Sequence, residues 1–392
     1  MLAIKNGIIV TPEGIIEGKI LLIKQDRIFG LADSFGNADG IERVVNAHGR
    51  YIMPGIIDIH SDKIEQYIKP RPMSQMDFEF ALKVCERDLL GAGVTTIYHS
   101  ISLFKDELFG KSPLRTKENV QKIADLLANI HLRNHLIHHR FHLRVEIDNL
   151  NAAEIVRDMI GQGKAHLISF MDHTPGQGQY GDLSVYRDAI SGYNGKAIEE
   201  FGFDGLVDQH KNKPRLSTKQ LTELSALAHE NGIPVASHDD DAEKKLEANK
   251  KIGVDISEFP ITLETAASAK RQGFFTVVGA PNILRGCSHT GNMSAAAAIM
   301  EGSADILCSD YYPAAILQSI FLMHTKHGLP LTRMANMATL NPARAVRIDK
   351  DYGSIEPGKK ADLLIVGILD GYPVVTHVFV EGKTTSRIEY RR

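Results

Sequence analysis

Along the first 50 residues, short apolar bursts such as LAIKNGIIV and KILLIKQDRIFGL are broken by Gly, Asn and Asp too often for a helical period. They predict the strands of a small sheet. The last stretch repeats the pattern, with YGSIEPGKKADLLIVG and then YPVVTHVFVEGKTT. Neither end has an obvious partner within itself, so a sheet shared by both termini would bury both sets of strands. From residue 53 the pattern changes to apolar runs alternating with helical segments. The strands expected are IIDIHSD (56–62), TTIYHS (95–100), RFHLRVEI (140–147), HLISFMDH (166–173), PVASHDD (234–240), VDISEFP (254–260), FTVVGAPNI (275–283) and DILCSD (305–310). Between them, STKQLTELSALAHENG offers a capping box from Ser217 to Gln220 and a stop at Gly232, and TLETAASAKRQG stops at Gly273. Eight strands, each followed by a helix, predict an α/β fold: a (β/α)8 TIM-like barrel of residues 53–344 and a small β-sandwich of residues 1–52 and 345–392.

The strands end in polar residues. Successive strand residues point to opposite faces, so His60 and Asp62 project together while Ile59 and Ser61 point away. Glu146 ends the third strand, Asp172 and His173 the fourth, His238 and Asp239 the fifth, and Asp310 the eighth. In a barrel these ends converge, and imidazole with carboxylate is a donor set for Zn, Mn, Fe or Ni. The metal ligands expected are His60, Asp62, Glu146, His173, His238 and Asp310. Asp310 is also placed to take a proton from an attacking water, the competing reading being a helix cap. For Glu146 the competing reading is an ion pair with Arg144 on the same strand face. His131, His135 and His138 have the spacing of a helix face and receive no ligand role.

Bulk properties narrow the partners. Of the 392 residues 43% are hydrophobic and 24% charged, with a formal net charge of −3, an ordinary globular balance without the basic excess of a nucleic-acid binder. Three scattered cysteines, without a CxxC, suit a reducing compartment, and the N-terminus has no secretory pattern. No apolar run has the length of a membrane span. A cytoplasmic enzyme, engaging neither membrane nor nucleic acid, is the expectation.

The entry MPGIIDIHSD, the paired terminal halves, the aspartate ending the eighth strand and the exit NPARAV…YGSIEPGKKADLLIV resemble the metal-dependent amidohydrolase superfamily over the whole chain. Most members carry His-x-His on the first strand and a carboxylated lysine on the fourth. Here the first motif is His60-Ser61-Asp62, no lysine ends the fourth strand, and Glu146 stands where it could replace that lysine, as in the deacetylase branch. Together with KPRPM, MDHTPGQGQY, ASHDDD, EFPITLETA, GAPNILRGCSHTGN and CSDYYPA, these departures resemble a branch acting in phosphonate catabolism, in the carbon–phosphorus lyase pathway. The resemblance implies metal-dependent hydrolysis of a ribose 5-triphosphate bearing a 1-methylphosphonate to the 5-phosphate and pyrophosphate. It also implies a divalent metal cofactor, zinc first, as one or two ions, and a homodimer.

Such a small-molecule phosphorylated substrate needs cationic donors. Lys69 and Arg71 after the first strand, and Arg285 in the NILRG loop, are assigned to it, and His289 in the following glycine-rich loop to substrate rather than metal. His139, Arg140 and Arg144 are weaker candidates, and the glycines of MDHTPGQGQY offer amides for phosphate. Two other functions compete: hydrolysis of a C–N bond by a deacetylase or deaminase on the same scaffold, and a barrel that has kept its fold without catalysis.

Overall fold

The computed structural model describes residues 1–35, 40–71, 73–103, 113–286 and 293–391. They fall into two compact units, one of Met1–Ile97, His131–His139 and Ile306–Arg392, the other of Tyr98–Ile130 and Arg140–Asp305.

The first unit contains two sheets built from the terminal segments. One has four strands in the order Arg27–Ala32, Ile20–Lys24, Leu2–Lys5, Arg43–Asn46. The other has six, in the order Lys383–Arg387, Tyr372–Val380, Leu363–Leu369, Tyr51–Pro54, Ile8–Val10, Ile15–Ile16. The second sheet joins both ends of the chain: Ile365 pairs with Ile52 and Leu363 with Pro54, antiparallel. Alternate residues of both sheets meet in one core that includes Leu2, Ile4, Leu21, Ile23, Ile52, Leu363, Ile365 and Phe379. Each sheet alone would leave that face in water, so the two terminal halves stabilise each other.

Eight parallel strands lie side by side in chain order: β1 (Ile56–Ser61), β2 (Val94–Leu103), β3 (His138–Glu146), β4 (Leu167–Met171), β5 (Val235–His238), β6 (Ile256–Glu258), β7 (Phe275–Gly279) and β8 (Ile306–Cys308). They form the nearly closed barrel that the alternation of strands and helices predicts. Every residue of β1 and β2 is buried, as expected of strands covered on both faces. Main-chain bonds close the ring from last strand to first: Asp310 N–H donates to the His60 carbonyl (3.0 Å) and Asp62 N–H to the Asp310 carbonyl (2.9 Å).

Gly55 lets the chain enter β1. A Cβ there would lie 2.1 Å from Thr95 Oγ1, so only glycine fits between the turn and β2. The capping box forms as expected, Ser217 N–H donating to Gln220 Oε1 at 2.9 Å at the start of helix Thr218–Glu230, and Gly232 and Gly273 take positive φ just past their helices.

Two local expectations are corrected. The seventh strand stops at Gly279, and Ala280–Arg285 is a helix with proline in its first turn, where a missing N–H costs nothing. The stretch containing His131, His135 and His138 is not one helix face. His131 sits in a 3-10 turn, whereas His138 opens β3, where buried His139, Phe141, Leu143 and Val145 follow the period of two. No helix among the described residues is long and apolar enough to cross a membrane.

Candidate metal centre

In the first unit, β1 and the residues after β8 carry the polar side chains. His60 is buried, and Asp62 stands at the start of helix Lys63–Ile68 without capping it through its side chain. Asp310 takes a left-handed conformation (φ 57°), a strained choice for a residue other than glycine that its two main-chain bonds to β1 hold in place. Helix-capping does not explain Asp310: the next helix, Ala314–His327, begins at Pro313 with no side-chain cap. Beneath them Asp58 is fully buried, accepting N–H bonds from Ser309 (3.1 Å) and His60 (3.4 Å). Burial pushes its carboxyl up to about 7, against those hydrogen bonds.

In the second unit the ends of β3, β4, β5 and β6 form a continuous polar chain. Glu146 Oε1 lies 2.7 Å from His173 Nδ1, and His173 Nε2 lies 4.0 Å from Asp239 Oδ2. Asp239 Oδ2 is 2.8 Å from His238 Nδ1, and His238 Nε2 is 3.3 Å from the Arg144 guanidinium. Glu258, fully buried, is the register partner of His238 across the β5–β6 pair, with a ligating atom within 4.8 Å of one on His238. Tyr180 packs edge-on against His173 at 5.8 Å, and Phe259 against His238 at 5.1 Å, so both imidazoles have an aromatic wall.

Burial works to raise Asp239, but the imidazoles of His238 and His173 and the Lys245 ammonium outweigh it and hold the carboxyl below its usual range. For His173, burial lowers the pKa, yet Glu146 and Asp239 more than reverse it and the net direction is up. Glu258 goes the other way: burial holds it above the usual carboxylate range, despite the positive groups nearby.

A cation fits this arrangement. His173, His238 and Asp239 bring two imidazoles and a carboxylate within 4.8 Å of one another, a nitrogen and oxygen set that suits zinc, manganese, iron or nickel. Asp239 Oδ2 is buried and lies against both imidazoles, 2.8 Å from His238 Nδ1 and 4.0 Å from His173 Nε2, the placement of a carboxylate that shares an ion with them.

Of the ligands expected from sequence, Glu146, His173 and His238 thus come together in the second unit, and His60, Asp62 and Asp310 in the first. Glu146 pairs with His173 rather than forming the ion pair with Arg144. Arg144 instead reaches His238. Lys69 is half-buried, at the C-cap of helix Lys63–Ile68; Arg71 is exposed and bridges to Ser74; Arg285 is exposed in the last turn of helix Ala280–Arg285. His289 lies outside the described residues. His139 is buried against Glu86 at 3.3 Å, a structural contact rather than a substrate one. The glycine amides of MDHTPGQGQY are also committed: Gly176 N–H donates to the Tyr180 carbonyl and Gly178 N–H to Asp241 Oδ2, an anion already in the position a phosphate would take.

Sequence reasoning misses Glu258, although VDISEFP carries the same signal as the other strands, a carboxylate at the inward-facing end of an apolar run. Asp239 stands beside an expected ligand, but strict alternation turns it away from His238; its left-handed conformation (φ 54°) turns it back.

Comparison with known proteins agrees with the fold. Residues 196–385 match the amidohydrolase family model. Alpha-D-ribose 1-methylphosphonate 5-triphosphate diphosphatase of Escherichia coli (strain K12) is 29% identical over 388 residues, covering 97% of this chain and 99% of that protein. Adenine deaminase 1 of Desulfotalea psychrophila is 35% identical over 83 residues, 21% of this chain and 14% of its own. Among solved structures, N-acetylglucosamine-6-phosphate deacetylase from Pasteurella multocida superposes with a TM-score of 0.65 at 12% identity, over 98% of this chain and 99% of that one.

Proposed function

We propose, for a chain whose residues 196–385 match the amidohydrolase family model, hydrolysis of alpha-D-ribose 1-methylphosphonate 5-triphosphate to the 5-phosphate and pyrophosphate. The observation that carries this reading is the end-to-end likeness to the Escherichia coli diphosphatase, which spans both terminal segments and the whole barrel.

In this reading the polar strand ends, those of β1 and β8 and those of β3 to β6, carry the chemistry. Support comes from the strand order, since all eight strands run parallel in a single sheet. His60, Asp62, His173, His238, Asp239 and Glu258 supply the donors for one or two divalent ions, zinc first. A bound divalent cation would draw charge from the phosphoryl oxygens and make water a stronger nucleophile. Arg144, held beside His238, offers its guanidinium fork to phosphate oxygens, and Lys69, Arg71, Arg285 and His289 are assigned to the outer phosphates and the phosphonate. Glu146 orients His173 through its Nδ1, leaving Nε2 for ligation. Water attacks the α-phosphorus, the bond from that phosphorus to the α–β bridging oxygen breaks, pyrophosphate leaves, and the proton of the water passes to the Asp310 carboxylate.

A second reading, hydrolysis of a C–N bond, draws on the stretch shared with the adenine deaminase. Parallel assays separate the two. With zinc or manganese added, the first reading expects pyrophosphate from the ribosyl triphosphate and no ammonia from adenine; ammonia without pyrophosphate would replace it with the second.

A further inference from the structure

Asp240 is fully buried yet does not belong to the metal-facing cluster. Its carboxylate accepts three neutral hydrogen bonds, from Ser237 Oγ (2.6 Å), Ser257 Oγ (2.5 Å) and Asn249 Nδ2 (2.7 Å), and its carbonyl accepts the Ile261 N–H (2.9 Å). Ser237 precedes His238 on β5, Ser257 precedes Glu258 on β6, and both pairs are in register across the strands. Strand alternation puts the two serines on the face opposite His238 and Glu258. One carboxylate therefore grips the outer side of two neighbouring strand ends whose inner side presents the ligating groups. The cluster residue next to the grip, Asp239, is also fixed through its main chain: its own N–H donates to the Glu258 carbonyl (2.9 Å), and Lys245 Nζ donates to its carbonyl (3.1 Å).

We propose that Asp240 is a positioning residue for the metal centre, setting the spacing and angle of His238, Asp239 and Glu258 through its bonds to Ser237 and Ser257. This rests on the reading of His238 and Asp239 as metal donors. A carboxylate receiving three donors makes stronger and more directional bonds than an amide in its place: both serine hydroxyls meet Oδ2 and Asn249 Nδ2 meets Oδ1, so the amide introduced by Asp240→Asn must turn its NH2 toward either the serines or Asn249. Ligand-supporting contacts of this kind are worth roughly 10–100-fold in metal affinity.

The test is zinc titration of the chelator-stripped full chain against a chromophoric competitor, for the wild type, Asp240→Asn, Ser237→Ala and Ser257→Ala, with thermal unfolding of each metal-free form alongside. The expected result is zinc binding by the wild type, a roughly 10–100-fold weaker dissociation constant in Asp240→Asn, smaller losses in the two serine variants, and similar unfolding midpoints without metal. A merely structural role would lower the metal-free midpoint and leave zinc affinity of the folded protein unchanged, which would overturn the proposal. If Asp240→Asn does not fold, the serine variants decide alone: wild-type affinity in both refutes the positioning role. Absence of zinc binding by the wild type itself would remove the metal reading on which the proposal stands.

Discussion

Glu146→Gln separates two roles, metal ligand and orienting group for His173. Glu146 and His173 are almost wholly buried, with side chains 6% and 14% exposed, and the 2.7 Å contact joins a carboxylate to Nδ1. A buried hydrogen bond to a charged group contributes about 1.5–3 kcal/mol, and the Gln substitution keeps the shape and an acceptor while removing the charge. Part of that energy is therefore lost from the orientation of Nε2. If ligation requires that orientation, a loss of about 1.4–2.7 kcal/mol corresponds to about 10–100-fold in metal affinity. The assay is a metal titration with elemental analysis at saturation. Glu146 as an orienting group predicts weaker binding with the metal stoichiometry unchanged at saturating metal. In the metal-free protein the same change should lower the His173 pKa, because Glu146 is the largest of the groups raising it against burial, and a proton NMR titration of the imidazole reads that directly. Loss of a full equivalent of metal at saturation would make Glu146 a ligand and refute the assignment; unchanged affinity would refute the coupling to His173.

Three further outcomes follow from individual contacts. Asp310→Asn should cut turnover by at least about 100-fold with little change in melting temperature, since the barrel closes through the Asp310 main chain; retained turnover would remove its carboxylate from the mechanism. His166 accepts the Phe141 N–H at 3.1 Å, and burial, assisted by the Arg140 charge, pushes its pKa down from 6.5 to about 4. A base with a depressed folded pKa gives stability that is present above 6.5 and lost on acidification, so wild-type stability relative to His166→Gln should fall by ~1.4 kcal/mol per pH unit between 6.5 and 4; a flat difference in denaturant unfolding across that window would contradict it. Gly55→Ala should cost about 1–3 kcal/mol by overpacking against Thr95, and Thr95→Ala should recover part of it in a double-mutant cycle, where strict additivity would disprove the clash.

Much of the architecture is legible in the sequence because the barrel strands are buried on both faces and read as apolar runs, and because polar residues at their ends obey a period of two. That rule finds His60, Glu146 and His238, and it extends to Glu258. It fails where the backbone leaves the strand conformation. Asp239 and Asp310 both adopt positive φ, so the direction of their side chains depends on a local twist that carries no residue-type signature when the residue is aspartate. The seventh strand reads too long because GAPNI is apolar in either conformation, and only Pro281 marks the helix start. The grip of Asp240 on two serines joins residues 17 and 3 positions away from it, a pairing that exists only once β5 and β6 lie in register. Glycines mislead in the opposite sense: MDHTPGQGQY has the composition of an anion cradle, but its amides serve the loop itself and Asp241.

Phosphorus NMR of the metal-loaded protein with alpha-D-ribose 1-methylphosphonate 5-triphosphate in oxygen-18 water tests the proposed reaction most directly. Attack at the α-phosphorus predicts pyrophosphate without label and a 5-phosphate whose resonance carries the oxygen-18 isotope shift. Label in the pyrophosphate would place the attack on the β-phosphorus, and an unchanged spectrum with metal confirmed in the sample would contradict the diphosphatase reading.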